Sequence, residues 1–147
     1  MTNESPTTNQ AADGFPDDLA VLVPMLADAL SRLDDEHHLE IMVIGTGRYL
    51  QFAAFDENLR AETVGNTYLK GCELLDAGAL AWLAAHGWND PDEGGNHWRH
   101  WEPADFLAAA TVTVVTLHQV HGVDDPRQLL LRSDEPDGAL AAFGGDE

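Results

Sequence analysis

His97 and His100 lie three residues apart in the stretch HGWNDPDEGGNHWRHWE (86–102), and His118 and His121 repeat that spacing further along. Both pairs have the residue types of a metal-ligand set. The first stretch also gathers three of the four tryptophans, three of the seven histidines and four acidic residues. A shared ion needs both imidazoles on one side of the backbone. Residues three apart meet that condition on a helix and fail it on a strand, where they point to opposite faces. Gly94 and Gly95 before the first pair and Pro103 after it favour a strand, so His97 and His100 make a poor ligand set. His118 and His121 fall in a helical pattern, with Asp124 and Asp125 in the following turn as a possible third ligand. Zinc does accept histidine with carboxylate, but surface or boundary histidines are the ordinary reading of such a pair. No metal and no cofactor is expected.

Other reactive arrangements are missing. The chain has no GxSxG elbow, no GxxxxGK[ST] loop and no HExxH. GTGRYL (45–50) contains GxG, lacks the third glycine and runs into a strand, which is not a dinucleotide fingerprint. Cys72 is the single cysteine, so no intrachain disulfide is available, and its setting LKGCELL reads as a small core position. The acidic residues gather in loops and tails, and no two stand out as general acid and base. The expectation is a protein without enzymatic activity.

The elements that must position these residues follow from the pattern of apolar side chains. Leu19, Leu22, Val23, Leu26, Leu30 and Leu33 recur at helical spacing, with a kink or restart expected at Pro24. Three short β-prone runs follow, roughly 38–44, 48–55 and 59–64, separated by GTG and DEN, whose glycines and asparagine suit tight turns. They predict an antiparallel meander. In its second strand Tyr49, Gln51, Ala53 and Phe55 share one face, and Leu50, Phe52 and Ala54 share the other. DAGALAWLAAHGW (76–88) predicts a helix stopped by Gly87. NHWRHWE (96–102) predicts a strand, and Pro103 opens a long helix running to Gly122. RQLLLR (127–132) fits either a last strand or a helical extension. The fold class is α+β: helix, three-stranded meander, helix, strand, helix.

With 147 residues and 44% hydrophobic content, the chain suits one domain over residues 15–132, flanked by a polar tail (1–14) and an acidic mobile tail (133–147). Its 26 acidic and seven basic residues give a formal net charge of −19. Such a surface repels phosphate backbones and anionic lipid, which excludes nucleic acid and membrane surface as partners. It fits a basic or amphipathic peptide, or simply a need for solubility. No stretch approaches the ~20 apolar residues that span a bilayer, and MTNESPTTNQ has no basic or apolar leader, so a cytoplasmic protein is expected.

The aromatics remain. Trp98 and Trp101, on one strand, must face opposite ways; one packs beneath the last helix and the other meets a second layer, a dimer partner or a peptide. The candidate peptide-binding set is Arg48, Tyr49, Phe52, Trp88, Trp98 and Trp101. Core filling is the competing use for the aromatics. For Arg48 and Arg99 the choice is between anchoring a partner's carboxylate and satisfying the acidic surface.

Five stretches in order, GRYLQF, AETVGN, LAAHGWNDP, NHWRHWEPAD and HGVDDPRQLLLRS, resemble the actinobacterial TY-Chap domain. That group is classed with type III secretion chaperones and YbjN-type proteins as peptide-binding chaperones. The resemblance runs from about Leu19 to Arg132. It implies a type III secretion chaperone-like fold that often dimerises, and a non-enzymatic role holding a secreted or aggregation-prone polypeptide client. A structural or regulatory dimerisation module without a client is the alternative.

Overall fold

A computed structural model describes residues 16–35 and 37–133; the tail expected at 1–14 lies outside them, as does the C-terminal tail beyond Ser133. Helix α1 spans Asp17–Ala20 and α2 spans Leu22–Ser31. The interruption expected at Pro24 falls three residues earlier, at Val21. Pro24 is the third residue of α2, where a missing N–H costs nothing, but its ring would collide with the carbonyl of residue i−4, Ala20, the last residue of α1. Leu22, Leu26, Ala29 and Leu30 form the buried face of α2.

The meander is present as β1 (His38–Val43), β2 (Tyr49–Phe55) and β3 (Asn58–Thr63). Its second turn is built differently from the expectation. Positive φ falls on Asp56 (50°) and Glu57 (67°), while Asn58 already begins β3. A two-residue hairpin turn of type I′ needs positive φ at both central positions, and here an acidic pair supplies it. Helix α3 (Ala77–Ala85) is capped by Asp76, whose Oδ1 accepts from Ala79 N at 2.8 Å, and it ends as expected at Gly87, with φ 95°. β4 (His97–Trp101) precedes α4 (Phe106–Gln119). Asp105, not Pro103, starts α4, accepting from Ala108 N at 3.0 Å.

The undecided segment is a strand. β5 (Leu129–Ser133) pairs antiparallel with β1, completing a five-stranded sheet of order β4-β3-β2-β1-β5. A capping box at Asp125 and Gln128 holds a short 3-10 turn, Pro126–Gln128, which reverses the chain into β5. β2 is the central strand, and all neighbours are antiparallel.

The helices cover one face of the sheet. The inward positions Leu39, Ile41, Val43, Leu50, Phe52, Leu59 and Ala61 are buried with Leu26, Leu30, Ala109, Ala110, Val114 and Leu117. α2 packs along α4, where Ala109, Ala110 and Thr113 keep the surface thin enough for close approach. The buried threonines satisfy their hydroxyls locally: Thr113 Oγ1 donates to Ala109 O and Thr116 Oγ1 to Val112 O, each at 2.7 Å. Cys72 departs from its expected place. It is exposed, in a 3-10 turn (Gly71–Glu73) from which Leu69 and Leu75 take the inward positions.

Candidate peptide-binding face

The face of the sheet away from the helices carries no helix among the described residues. Register fixes what it displays, since residues directly opposite on neighbouring strands point the same way. One row runs Leu130, Met42, Tyr49; the next runs Arg132, Glu40, Gln51, Glu62, Trp98; a third runs His38, Ala53, Arg60, His100. The middle row is knitted by polar contacts. Arg132 Nη2 reaches Glu40 Oε1 at 3.2 Å, and Gln51 Nε2 donates to Glu62 Oε1 at 2.9 Å. A cleft of about 380 Å³ lies over it, lined by His38, Glu40, Gln51, Arg132 and Ser133.

Asn96, 4% exposed, secures the Trp98 end of this face. Its Oδ1 accepts from Gly65 N (3.2 Å), and its Nδ2 donates to Glu62 Oε1 (3.0 Å) and Tyr49 Oη (3.2 Å). Burial works to raise the Glu62 pKa, but the hydrogen bonds from Asn96, Arg60 and Gln51 prevail and hold it below the usual carboxylate value. Burial pushes the Tyr49 phenol up. The face therefore presents a fixed anion beside two aromatics.

The candidate residues read from the sequence separate into two groups. Tyr49 and Trp98 stand on the open face. The guanidinium carbon of Arg60 lies 4.9 Å from the Trp98 ring centroid. Phe52 and Trp88, 1% and 4% exposed, are core residues and offer no surface to a ligand. The Trp88 indole N–H donates to Thr116 Oγ1 at 3.2 Å, tying the α3–β4 connection to α4. Trp101 points to the helix side, as the strand geometry requires, with Arg99 over its ring at 4.7 Å. Arg48 is a clamp: Nη1 donates to Val120 O at 2.8 Å and Nη2 to Glu73 O at 2.7 Å, placing a cation on the carbonyl end of α4. Arg99 does the same for α3, with Nη1 donating to His86 O at 2.8 Å, while burial lowers its pKa. A Cβ on Gly87 would come within 2.7 Å of that Nη1, so besides straining φ a side chain there would have to push the guanidinium aside.

The histidine pairs divide likewise. His97 is buried on the helix side, and burial lowers its pKa; His100 lies outside against the ring of Phe55. His118 Nδ1 is 2.8 Å from Val123 O, whereas His121 Nε2 turns inward to Thr63 Oγ1 at 2.8 Å. Among the described residues no three His, Cys, Asp or Glu side chains are placed to hold a metal ion. Sequence reasoning missed Arg60, Glu62 and Leu130 on the face, and the buried Asn96 that holds it. The period-2 alternation in β1 to β3 carried part of that signal.

Backbone groups complete the site. Val43 N donates to Arg48 O and Ile44 N to Gln128 O, so odd residues of β1 bond β2 and even residues bond β5. By the same alternation Leu130 and Arg132 spend their backbone groups on β1, and Leu131 directs its N–H and C=O outward. No strand pairs with that side of β5 among the described residues. The opposite edge is partly covered, because Asn89 exchanges backbone bonds with Trp98 at 2.9 and 3.3 Å. A larger cleft, about 450 Å³, lies at the end of α4 between Arg48, Leu74, Asp76 and Trp82. It offers no strand edge, and its arginine is already spent on carbonyls.

Residues 22–135 match the model of the family described as T3SS (YopN, CesT) and YbjN peptide-binding chaperone 3, TY-Chap3. The chain belongs to this family. The match takes in every strand and the helices from α2 onward, and the α+β architecture is that of a type III secretion chaperone-like fold. TY-Chap3 is a peptide-binding chaperone family, not an enzyme family. No curated protein and no solved structure matches the chain. No helix among the described residues is long and apolar enough to cross a membrane.

Proposed function

We propose that this TY-Chap3 chain is a non-enzymatic cytoplasmic chaperone whose unit, residues 15–132, captures an extended segment of a basic or amphipathic polypeptide client. The observation that carries the reading is the side of β5 to which Leu131 directs its backbone groups, with no strand paired to it among the described residues, alongside the open face. A client strand added to that edge takes main-chain hydrogen bonds from Leu131, and its alternate side chains fall on Leu130, Met42 and the polar row beyond. The net charge of −19 draws basic segments in and repels acidic ones. The resemblance to dimerising chaperones supports a homodimer as the working unit.

Fluorescence anisotropy with a labelled 12-residue peptide of alternating arginine and leucine tests this. Saturable binding that weakens with salt and is lost in Leu130→Asp, but kept in Leu107→Asp, is expected; Leu107 is 62% exposed on the helix layer. Loss in Leu107→Asp alone moves the site to the helices. Light scattering on the same samples reports the oligomer. A dimer that gives no response to any peptide supports a dimerisation module instead.

A further inference from the structure

Arg60 is bound on the open face by four groups. Its Nε lies 2.8 Å from Glu62 Oε2, its Nη2 3.1 Å from Asp92 Oδ2, and its Nη1 3.0 Å from His100 Nε2. The Trp98 ring supplies the fourth contact, 4.9 Å from guanidinium carbon to centroid. Three of the four are also held by contacts that do not involve Arg60. Glu62 keeps its other oxygen on Gln51 Nε2 (2.9 Å) and Asn96 Nδ2 (3.0 Å). Asp92 keeps its other oxygen on Gly94 N at 2.9 Å. Trp98 is held at its main chain by Asn89. One oxygen of each carboxylate and one aromatic face are thus directed at a single cationic position, and each of the three has an anchor other than Arg60.

We infer that Trp98, Glu62 and Asp92 form a receptor for the guanidinium group of a client arginine, which Arg60 fills in the free protein as a built-in competitor. The inference rests on the reading of the open face as the client surface. The receptor lies on β3 and β4, about 15–20 Å across the sheet from β5. The arginine it takes therefore belongs to a part of the client that crosses the face, not to the strand added at the β5 edge. Two carboxylate oxygens and a flat ring suit the planar, forked donors of guanidinium better than the compact ammonium of lysine. A cavity of about 100 Å³ beside the position, lined by Arg60 with His38, Gln51 and Ala53, gives the displaced side chain room. Exchange of one guanidinium for another leaves the charge of the site unchanged, so a client arginine enters without stranding either carboxylate. The competitor then filters clients: a segment lacking arginine gains nothing by displacing Arg60.

The test uses the full chain and a small probe, following the Trp98 indole signal by NMR. Arg60→Ala and Arg60→Gln are titrated with ethylguanidinium, ethylammonium and N-ethylurea. Both variants are expected to bind ethylguanidinium saturably, and ethylammonium about tenfold more weakly, as is ethylguanidinium by the Arg60→Ala/Glu62→Gln protein. The wild-type protein, its receptor filled, should respond only at far higher concentration. Equal responses to ethylguanidinium and the neutral urea, or a wild-type response as strong as that of the variants, overturn the inference. A second arm compares an arginine-bearing peptide with its glutamine twin. Ethylguanidinium binding without discrimination between the peptides keeps the cation site and overturns its role in client selection.

Discussion

His121 sits with Nε2 2.8 Å from Thr63 Oγ1 and Nδ1 3.5 Å from Arg48 Nη1. Arg48 can only donate, so Nδ1 accepts and Nε2–H donates to the threonine, which makes the imidazole neutral. Burial first, and the Arg48 charge second, lower its pKa from 6.5 to about 3. A histidine with a depressed folded pKa contributes stability that is present above the unfolded value and lost as pH falls below it. Between pH 7 and pH 5 the loss should be on the order of 2 kcal/mol, with His97 adding in the same direction. Urea titrations of wild type and His121→Gln check this; the variant should lose distinctly less over that interval, and equal losses would place the effect elsewhere. The tryptophans give a second residue-scale prediction. Trp88→Ala should cost about 3–5 kcal/mol of stability, as expected for a core aromatic, whereas Trp98→Ala should stay within about 1 kcal/mol and weaken peptide binding. From sequence, the separation of the HxxH pair and of Trp98 from Trp101 was legible, because both follow from a two-residue period. The burial of Phe52 and Trp88 was not, since apolar residues look alike whether they face core or client.

At the scale of elements, the apolar stripe of α2, the alternation in β2 and the glycine stop of α3 were legible because each is a local pattern. β5 was not. Its five residues, LLLRS, lack alternation, and only pairing with β1 makes them a strand. The turn after β2 was half legible. DEN marked it, but the left-handed residues are Asp56 and Glu57. A non-glycine residue there carries a steric penalty, so Glu57→Gly should stabilise the chain by about 0.5–1 kcal/mol. Its main-chain carbonyl, which accepts from Ala104 N at 2.9 Å, is kept in the variant. Thermal denaturation should show a raised midpoint, and an unchanged or lowered one would mean the Glu57 side chain contributes more than its backbone costs.

At the scale of the whole molecule, charge and topology act together. A net charge of −19 favours the approach of basic over acidic segments. Among the described residues the sheet order leaves one side of β5 without a strand partner, where the proposed client would dock. Charge was readable from composition alone, but the edge depended on long-range pairing that no local stretch contains. The most direct measurement is residue-resolved amide hydrogen exchange on the full chain, with and without the arginine–leucine peptide. In the free protein the Leu130 and Arg132 amides, bonded to β1, should be protected while Leu131 exchanges freely. With saturating peptide, the Leu131 amide should become protected. Peptide binding that leaves Leu131 exchanging as before, with new protection confined to the helix layer, would contradict the account.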